Sequence, residues 1–178
     1  MHRTETMMLK RIETDGKIWF SMWFLASIAT FGAAFFPMFY RLIENRNNHF
    51  RRHAELEKQI ANFIRKQGKE PPKSYDFREM NTKVWTAAII LIIPVFAIAY
   101  LLSRDLLAHE RHQDKLLASV FPKRVFMPQT IPIGKYALVT IVTLGAGIVY
   151  WLYKIVNMYN AHFKAHREVE KQIVKLME

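Results

Sequence analysis

Residues 18–40 read IWFSMWFLASIATFGAAFFPMFY, and no charged side chain interrupts them. As one helix, at about 1.5 Å per residue, such a run crosses a hydrocarbon core of about 30 Å. Two further runs have the same character: 84–102, VWTAAIILIIPVFAIAYLL, and 136–153, YALVTIVTLGAGIVYWLY. All three are too long for strands. They are apolar all round, whereas a helix of a water-exposed bundle keeps a polar face. Trp19, Trp23, Tyr40, Trp85, Tyr100, Tyr136, Trp151 and Tyr153 cluster near the run ends, as in an aromatic belt. Pro37 and Pro94 fall within runs, and the small residues Gly32, Ala33, Gly145, Ala146 and Gly147 suit close helix contact. The pattern predicts an all-α membrane protein with three transmembrane helices.

The rest of the 178-residue chain is polar and basic, with a net charge of +11. It has no cysteine, which excludes a disulfide scaffold, a Cys-based zinc site, an iron–sulfur cluster and a thiol nucleophile. The segments after the first and third runs, 41–83 and 154–178, hold 16 of the 26 Lys and Arg residues. Three spans put those segments on one side. The positive-inside rule then predicts a multi-pass protein of the cell membrane, its C-terminus cytoplasmic and its N-terminus outside. The expected organisation is a polar N-terminus (1–17), a first span with a cytoplasmic helix (18–67), and a loop (68–83). A second span with an external helix (84–121), an external connection (122–135) and a third span with a cytoplasmic helix (136–178) follow.

The most specific signal is an internal repeat. Residues 30–60, TFGAAFFPMFYRLIENRNNHFRRHAELEKQI, align without gaps to 143–173, TLGAGIVYWLYKIVNMYNAHFKAHREVEKQI, with 13 of 31 positions identical. Tyr100 stands as far before His109 as Tyr40 before His49 and Tyr153 before His162, which hints at a degenerate third copy. No Pro or Gly breaks either copy beyond its apolar part until Gly68 in the first and the chain end in the second, so spans one and three should continue as long helices. Phe39, Leu42, Arg46, His49, His53, Leu56, Ile60 and Phe63 alternate by three and four. So do Leu152, Ile155, Tyr159, His162, His166, Val169, Ile173 and Leu176. These are coiled-coil seam positions, and they predict a parallel helical pair.

In such a pair His49 faces His162 and His53 faces His166. Glu57 and Glu170 extend the same faces by one more turn. Neutral imidazole is the commonest metal ligand, and i, i+4 pairs present two rings together. His49, His53, His162 and His166, with Glu57 and Glu170 behind them, are therefore the candidate ligands of a divalent transition metal. The alternative is plain seam packing, copied by duplication. His109 and His112, with Glu110 and Asp114, form a lesser cluster on the opposite side.

GxGxxG, P-loop and HExxH patterns are absent, and no serine has a nucleophile context. Acids interleaved with the bases argue against nucleic acid. The stretch 143–170, with its Thr-x-Gly step, its Tyr-Trp-x-Tyr-Lys run and its Asn-x-His-Phe helix, resembles a family of small uncharacterised prokaryotic membrane proteins, archaeal or bacterial. The resemblance implies an all-helical membrane protein and transfers no catalytic residue. Two functions are expected. One is a non-catalytic scaffold or accessory subunit of a larger membrane enzyme complex, respiratory or monooxygenase in type, whose partners are the lipid bilayer and other membrane subunits or further copies. The other is a metal-binding membrane protein built on the four repeat histidines.

Overall fold

The computed structural model describes residues 15–75 and 77–177; the polar N-terminal stretch up to residue 14 lies outside them. The described residues form six α-helices and no strand: α1 (Phe20–Ala29), α2 (Phe35–Lys66), α3 (Thr82–Ala88), α4 (Ile93–Ala118), α5 (Ile133–Val142) and α6 (Gly147–Met177). A single 3-10 turn, Ile89–Leu91, lies between α3 and α4.

The apolar runs are all broken in the middle, and the expected transmembrane helices do not form. No helix among the described residues is long and apolar enough to cross a membrane. The break in the two repeat copies is the shared Thr-x-Gly-Ala step. Phe31 (φ 50°) and Gly32 (φ 92°) turn left-handed, as do Leu144 (φ 50°) and Gly145 (φ 97°). Gly32 N–H donates back to Ser27 O at 2.7 Å, and Gly145 N–H to Thr140 O at 2.7 Å. That bond, with the preceding left-handed residue, is a Schellman stop. The threonine hydroxyl oxygen then accepts the first free amide of the next helix, Ala34 N–H at 3.0 Å in one copy and Gly147 N–H at 2.7 Å in the other. In the middle run the break is at Ile92 (φ 61°), with Pro94 in the first turn of α4. Pro37 likewise falls in the first turn of α2, where a missing N–H costs nothing. The prolines mark helix starts.

Each run therefore doubles back as a hairpin. Gly147 packs so tightly on α5 that an added Cβ would lie 2.9 Å from Thr140 Cα, and the Tyr136 ring meets Tyr150 edge-on and lies tilted against Trp151. Asn45 reaches back to Gly16 O at 2.8 Å, and Arg41 lies over the Trp23 ring. Thr82 and Asp105, at the two ends of the middle run, both meet α2 between Glu44 and Asn47. All three runs leave and rejoin the polar part of the molecule at the same end. The first and third outgoing arms are 10 residues each, about 15 Å, half of what a span needs.

This overturns the multi-pass location and the sidedness drawn from it. A chain that turns back within each run never changes sides. The described residues at Asp15–Lys17, both connections and the C-terminal helix therefore carry no inside–outside alternation, and the lysine and arginine count has nothing to orient.

Below the hairpins, α2, α4 and α6 run in the same direction. Met38, Phe39 and Leu42 share one core with Ile98, Leu102, Leu152 and Ile155. Leu56, Ile60 and Ile64 share a second with Leu116, Leu117, Val169 and Ile173. The seam positions from Phe39 to Ile60 and from Leu152 to Ile173 are buried, while Phe63 is half-buried and Leu176 exposed. The expected pair is a trio, because α4 joins it along its whole length. Between the two apolar cores lies a polar layer. Arg46, fully buried, meets Asp105 and Asn47 Oδ1 (2.7 Å), and its guanidinium lies 4.0 Å from the Phe77 ring centre. The histidines follow directly beneath.

Candidate metal centre

Parallel register places His49 of α2 against His162 of α6, with their Nε2 atoms 3.0 Å apart. One turn further, His53 and His166 face each other with ring centres 5.0 Å apart. The third helix contributes His109. Its ring is 5.1 Å from His162, 5.5 Å from His49 and 4.5 Å from His53. All five rings are buried. One ring nitrogen from each of His49, His109 and His166 comes within 4.8 Å of the others, a spacing compatible with a shared ion.

A carboxylate stands behind three of the rings. Asp15 accepts from His49 Nδ1 at 3.1 Å, Glu110 from His162 Nδ1 at 3.0 Å, and Glu170 from His166 Nδ1 at 2.9 Å. Arg52 ties two of these acids together, donating to both oxygens of Asp15 (3.0 and 2.7 Å) and to Glu170 (3.3 Å). The second oxygen of Glu110 accepts the Gln129 backbone N–H. A carboxylate on Nδ1 fixes ring orientation and tautomer, and it makes the opposite nitrogen a better donor to a metal.

The electrostatics follow from burial. Desolvation, the largest cause, pushes His49, His53 and His109 well below the ordinary imidazole value, and mutual repulsion among the rings adds to it. Desolvation also lowers His162, partly opposed by its bond to Glu110. These four rings are neutral near pH 7. Since Asp15 and Glu110 take the Nδ1 hydrogens of His49 and His162, the two Nε2 atoms present lone pairs to each other across 3.0 Å. Two bare acceptors at that distance repel. A cation between them removes the repulsion, and imidazole nitrogens about 2.0–2.1 Å from one ion lie about 2.9–3.4 Å apart. The Nε2 atoms of His109 and His166 are buried with no hydrogen-bond partner among the described residues. So are both amide atoms of Gln113, one turn after His109 on α4, at the position His53 and His166 hold on their own helices. Asp15, Glu110 and Glu170 place negative charge directly behind the rings, which favours a cation at their free nitrogens.

The structure thus brings together His49, His53, His162 and His166. Glu170 stands behind His166. Glu57 turns away and accepts from His112 Nε2 at 3.0 Å, outside the cluster. Sequence reasoning missed His109, Asp15, Glu110 and Arg52 as members of the site. The span assignment put His109, Glu110 and Asp15 across a membrane from the repeat histidines. The signal that could have found His109 was the shared Tyr-to-His spacing. Comparison with family models, with curated proteins and with solved structures finds no match to this chain.

Proposed function

We propose that the protein binds one divalent first-row transition metal ion within the α2–α4–α6 trio, through imidazole nitrogens of His49, His109, His162 and His166, with His53 and Gln113 adjoining. The observation that carries this is the pair of facing Nε2 atoms, 3.0 Å apart, whose rings both have Nδ1 committed to a carboxylate. An all-imidazole donor set suits zinc, copper, nickel or iron. Asp15, Glu110 and Glu170 orient the rings and supply the compensating charge. An ion held there ties the three long helices at one level. Because its ligands are enclosed, the centre fits the non-catalytic accessory role expected from the sequence better than it fits substrate turnover.

The test is metal analysis of protein purified without a polyhistidine tag or chelator, beside a His49→Ala/His162→Ala variant. Wild-type protein should carry close to one ion per chain and the variant none. Cobalt(II) added to metal-free protein should give visible bands of a nitrogen-coordinated site. A metal-free wild-type protein that also fails to take up cobalt, zinc or copper overturns the proposal.

A further inference from the structure

The three hairpins leave a large apolar surface uncovered at one end of the molecule. Phe31 and Leu144, at the tips of the first and third hairpins, are fully exposed. Ile90, Leu91, Ile92 and Ile93, at the tip of the second, are 68–77% exposed. From this placement we infer that the three tips insert side by side into one leaflet of an anionic bilayer, without crossing it. The metal-centre end then stays in water.

Three independent features choose lipid over a protein partner. The first is charge. A cation stands at both ends of every run: Lys17 and Arg41, Lys83 and Arg104, Lys135 and Lys154. Because the runs fold back, these six lie at one level, between the apolar hairpins and the polar bundle, and all but half-buried Lys154 are exposed. Lys17, Arg41, Arg104 and Lys154 each sit over an aromatic ring, at Trp19, Trp23, Tyr100 and Tyr150. Interfacial aromatics with basic side chains at one depth match a headgroup layer carrying negative charge.

The second feature is backbone satisfaction. In both Thr-x-Gly-Ala turns every amide N–H, from Thr30 to Phe36 and from Thr143 to Val149, donates to an acceptor within the same turn. The hydroxyls of Ser27, Thr30, Thr140 and Thr143 donate to carbonyls one turn back. With its amide donors closed in this way, a turn enters hydrocarbon without the cost of several kcal/mol that each open donor would carry. The third is length. Arms of about 15 Å match the hydrocarbon of a single leaflet. From Arg41 to His49 is about 12 Å along α2, so the metal centre lies just below the headgroups on the aqueous side.

The cysteine-free chain allows a direct test. Single-cysteine variants Phe31→Cys and Leu144→Cys report the tips, and Glu70→Cys and Lys123→Cys report the two connections. Each full-length variant is reconstituted into phosphatidylcholine vesicles containing phosphatidylglycerol, and helical content is checked by circular dichroism. Nitroxide labels at both tips should be at least tenfold more accessible to oxygen than to a polar nickel reagent. An impermeant maleimide added outside should reach Glu70→Cys and Lys123→Cys to the same extent within each preparation. Unequal labelling of the connections means the chain crosses, and overturns the inference. Tips that stay accessible to the polar reagent, or that become protected without vesicles as the protein self-associates, mean solvent or a second copy covers them, and overturn it equally. Metal content plays no part in these readouts, so their outcome is separate from that of the metal proposal.

Discussion

The side chains that matter most are held by what lies behind them. His49, His162 and His166 have their Nδ1 atoms bonded to Asp15, Glu110 and Glu170, so their reactive nitrogens are aimed before any ion arrives. Loss of such a supporting carboxylate usually weakens metal binding about 10–100-fold while leaving the ligand set intact. Asp15→Asn should therefore lower affinity by that order, measured by competition with a chromophoric chelator, and should leave stoichiometry at saturation unchanged. His109→Ala removes a ring whose Nε2 has no hydrogen-bond partner among the described residues, and its affinity loss should exceed tenfold. His112→Ala is the matched control. It is three residues away on the same helix, but its Nε2 is bonded to Glu57, and it should not change affinity. Equal losses from His109→Ala and His112→Ala would move the centre away from the five-ring cluster. Arg52 has a different task. It bridges Asp15 and Glu170 and so holds two carboxylates from distant parts of the chain at one wall of the site.

At the scale of the element, the hairpin turn decides the architecture, and it is encoded in four residues. Thr30-Phe31-Gly32-Ala33 and Thr143-Leu144-Gly145-Ala146 both place a left-handed residue before a left-handed glycine and use the threonine oxygen to start the next helix. These small residues read equally well as helix-contact residues in a span, because hydropathy counts apolar length and carries no information about φ. The prolines held better information. Pro37 and Pro94 both stand in a first helical turn, the position proline prefers, so each announced a new helix a few residues after a break. The seam positions of α2 and α6 were legible, since alternation by three and four requires one buried stripe whatever the surroundings. Their third partner was not, because α4 carries Leu106 and Gln113 where the copies carry Arg46 or Tyr159 and His53 or His166. The α5–α6 hairpin has a sharp test. At Gly147 a Cβ would sit 2.9 Å from the Thr140 backbone, against atoms that cannot swing aside, whereas at Gly134 it would meet nothing within 4 Å. Gly147→Ala should destabilise by about 1–3 kcal/mol. Gly134→Ala, in the first turn of α5, should be neutral or slightly stabilising. Thermal unfolding of the two variants side by side checks the pair, and an unchanged midpoint for Gly147→Ala would mean α5 does not lie against α6.

At the scale of the whole molecule, one error about the turns propagated into the site. If the runs are spans, Asp15 and His109 lie on the far side of a membrane from His49. If the runs are hairpins, every described polar segment is on one side and three helices can supply one centre. The molecule then consists of an apolar end, a histidine layer and a second apolar core, stacked along three parallel helices, and its stability must depend on what occupies the middle layer. In the metal-free protein four rings of that layer are neutral near pH 7. His49, His53, His109 and His162 have native values below the ordinary imidazole value of 6.5, chiefly through desolvation. The unfolded chain therefore binds more protons than the native one as pH falls below about 6.5, and the slope of unfolding free energy with pH is positive there. Stability is fully present above that pH and is lost progressively as pH falls toward the native values, by about 1.4 kcal/mol per pH unit for each ring involved. Metal binding requires the same unprotonated nitrogens, so acid competes with the ion as well. Holo protein should accordingly keep a nearly constant unfolding midpoint down to the pH at which the ion leaves, then drop onto the metal-free curve. Metal-free protein should begin to weaken as soon as pH falls below about 6.5. Paired thermal melts from pH 8 to pH 5, with metal content measured at each point, check both curves. A metal-free midpoint that stays flat or rises as pH falls from 6.5 would mean that the rings are already protonated or solvated in the native state, and the buried neutral cluster would not exist in solution.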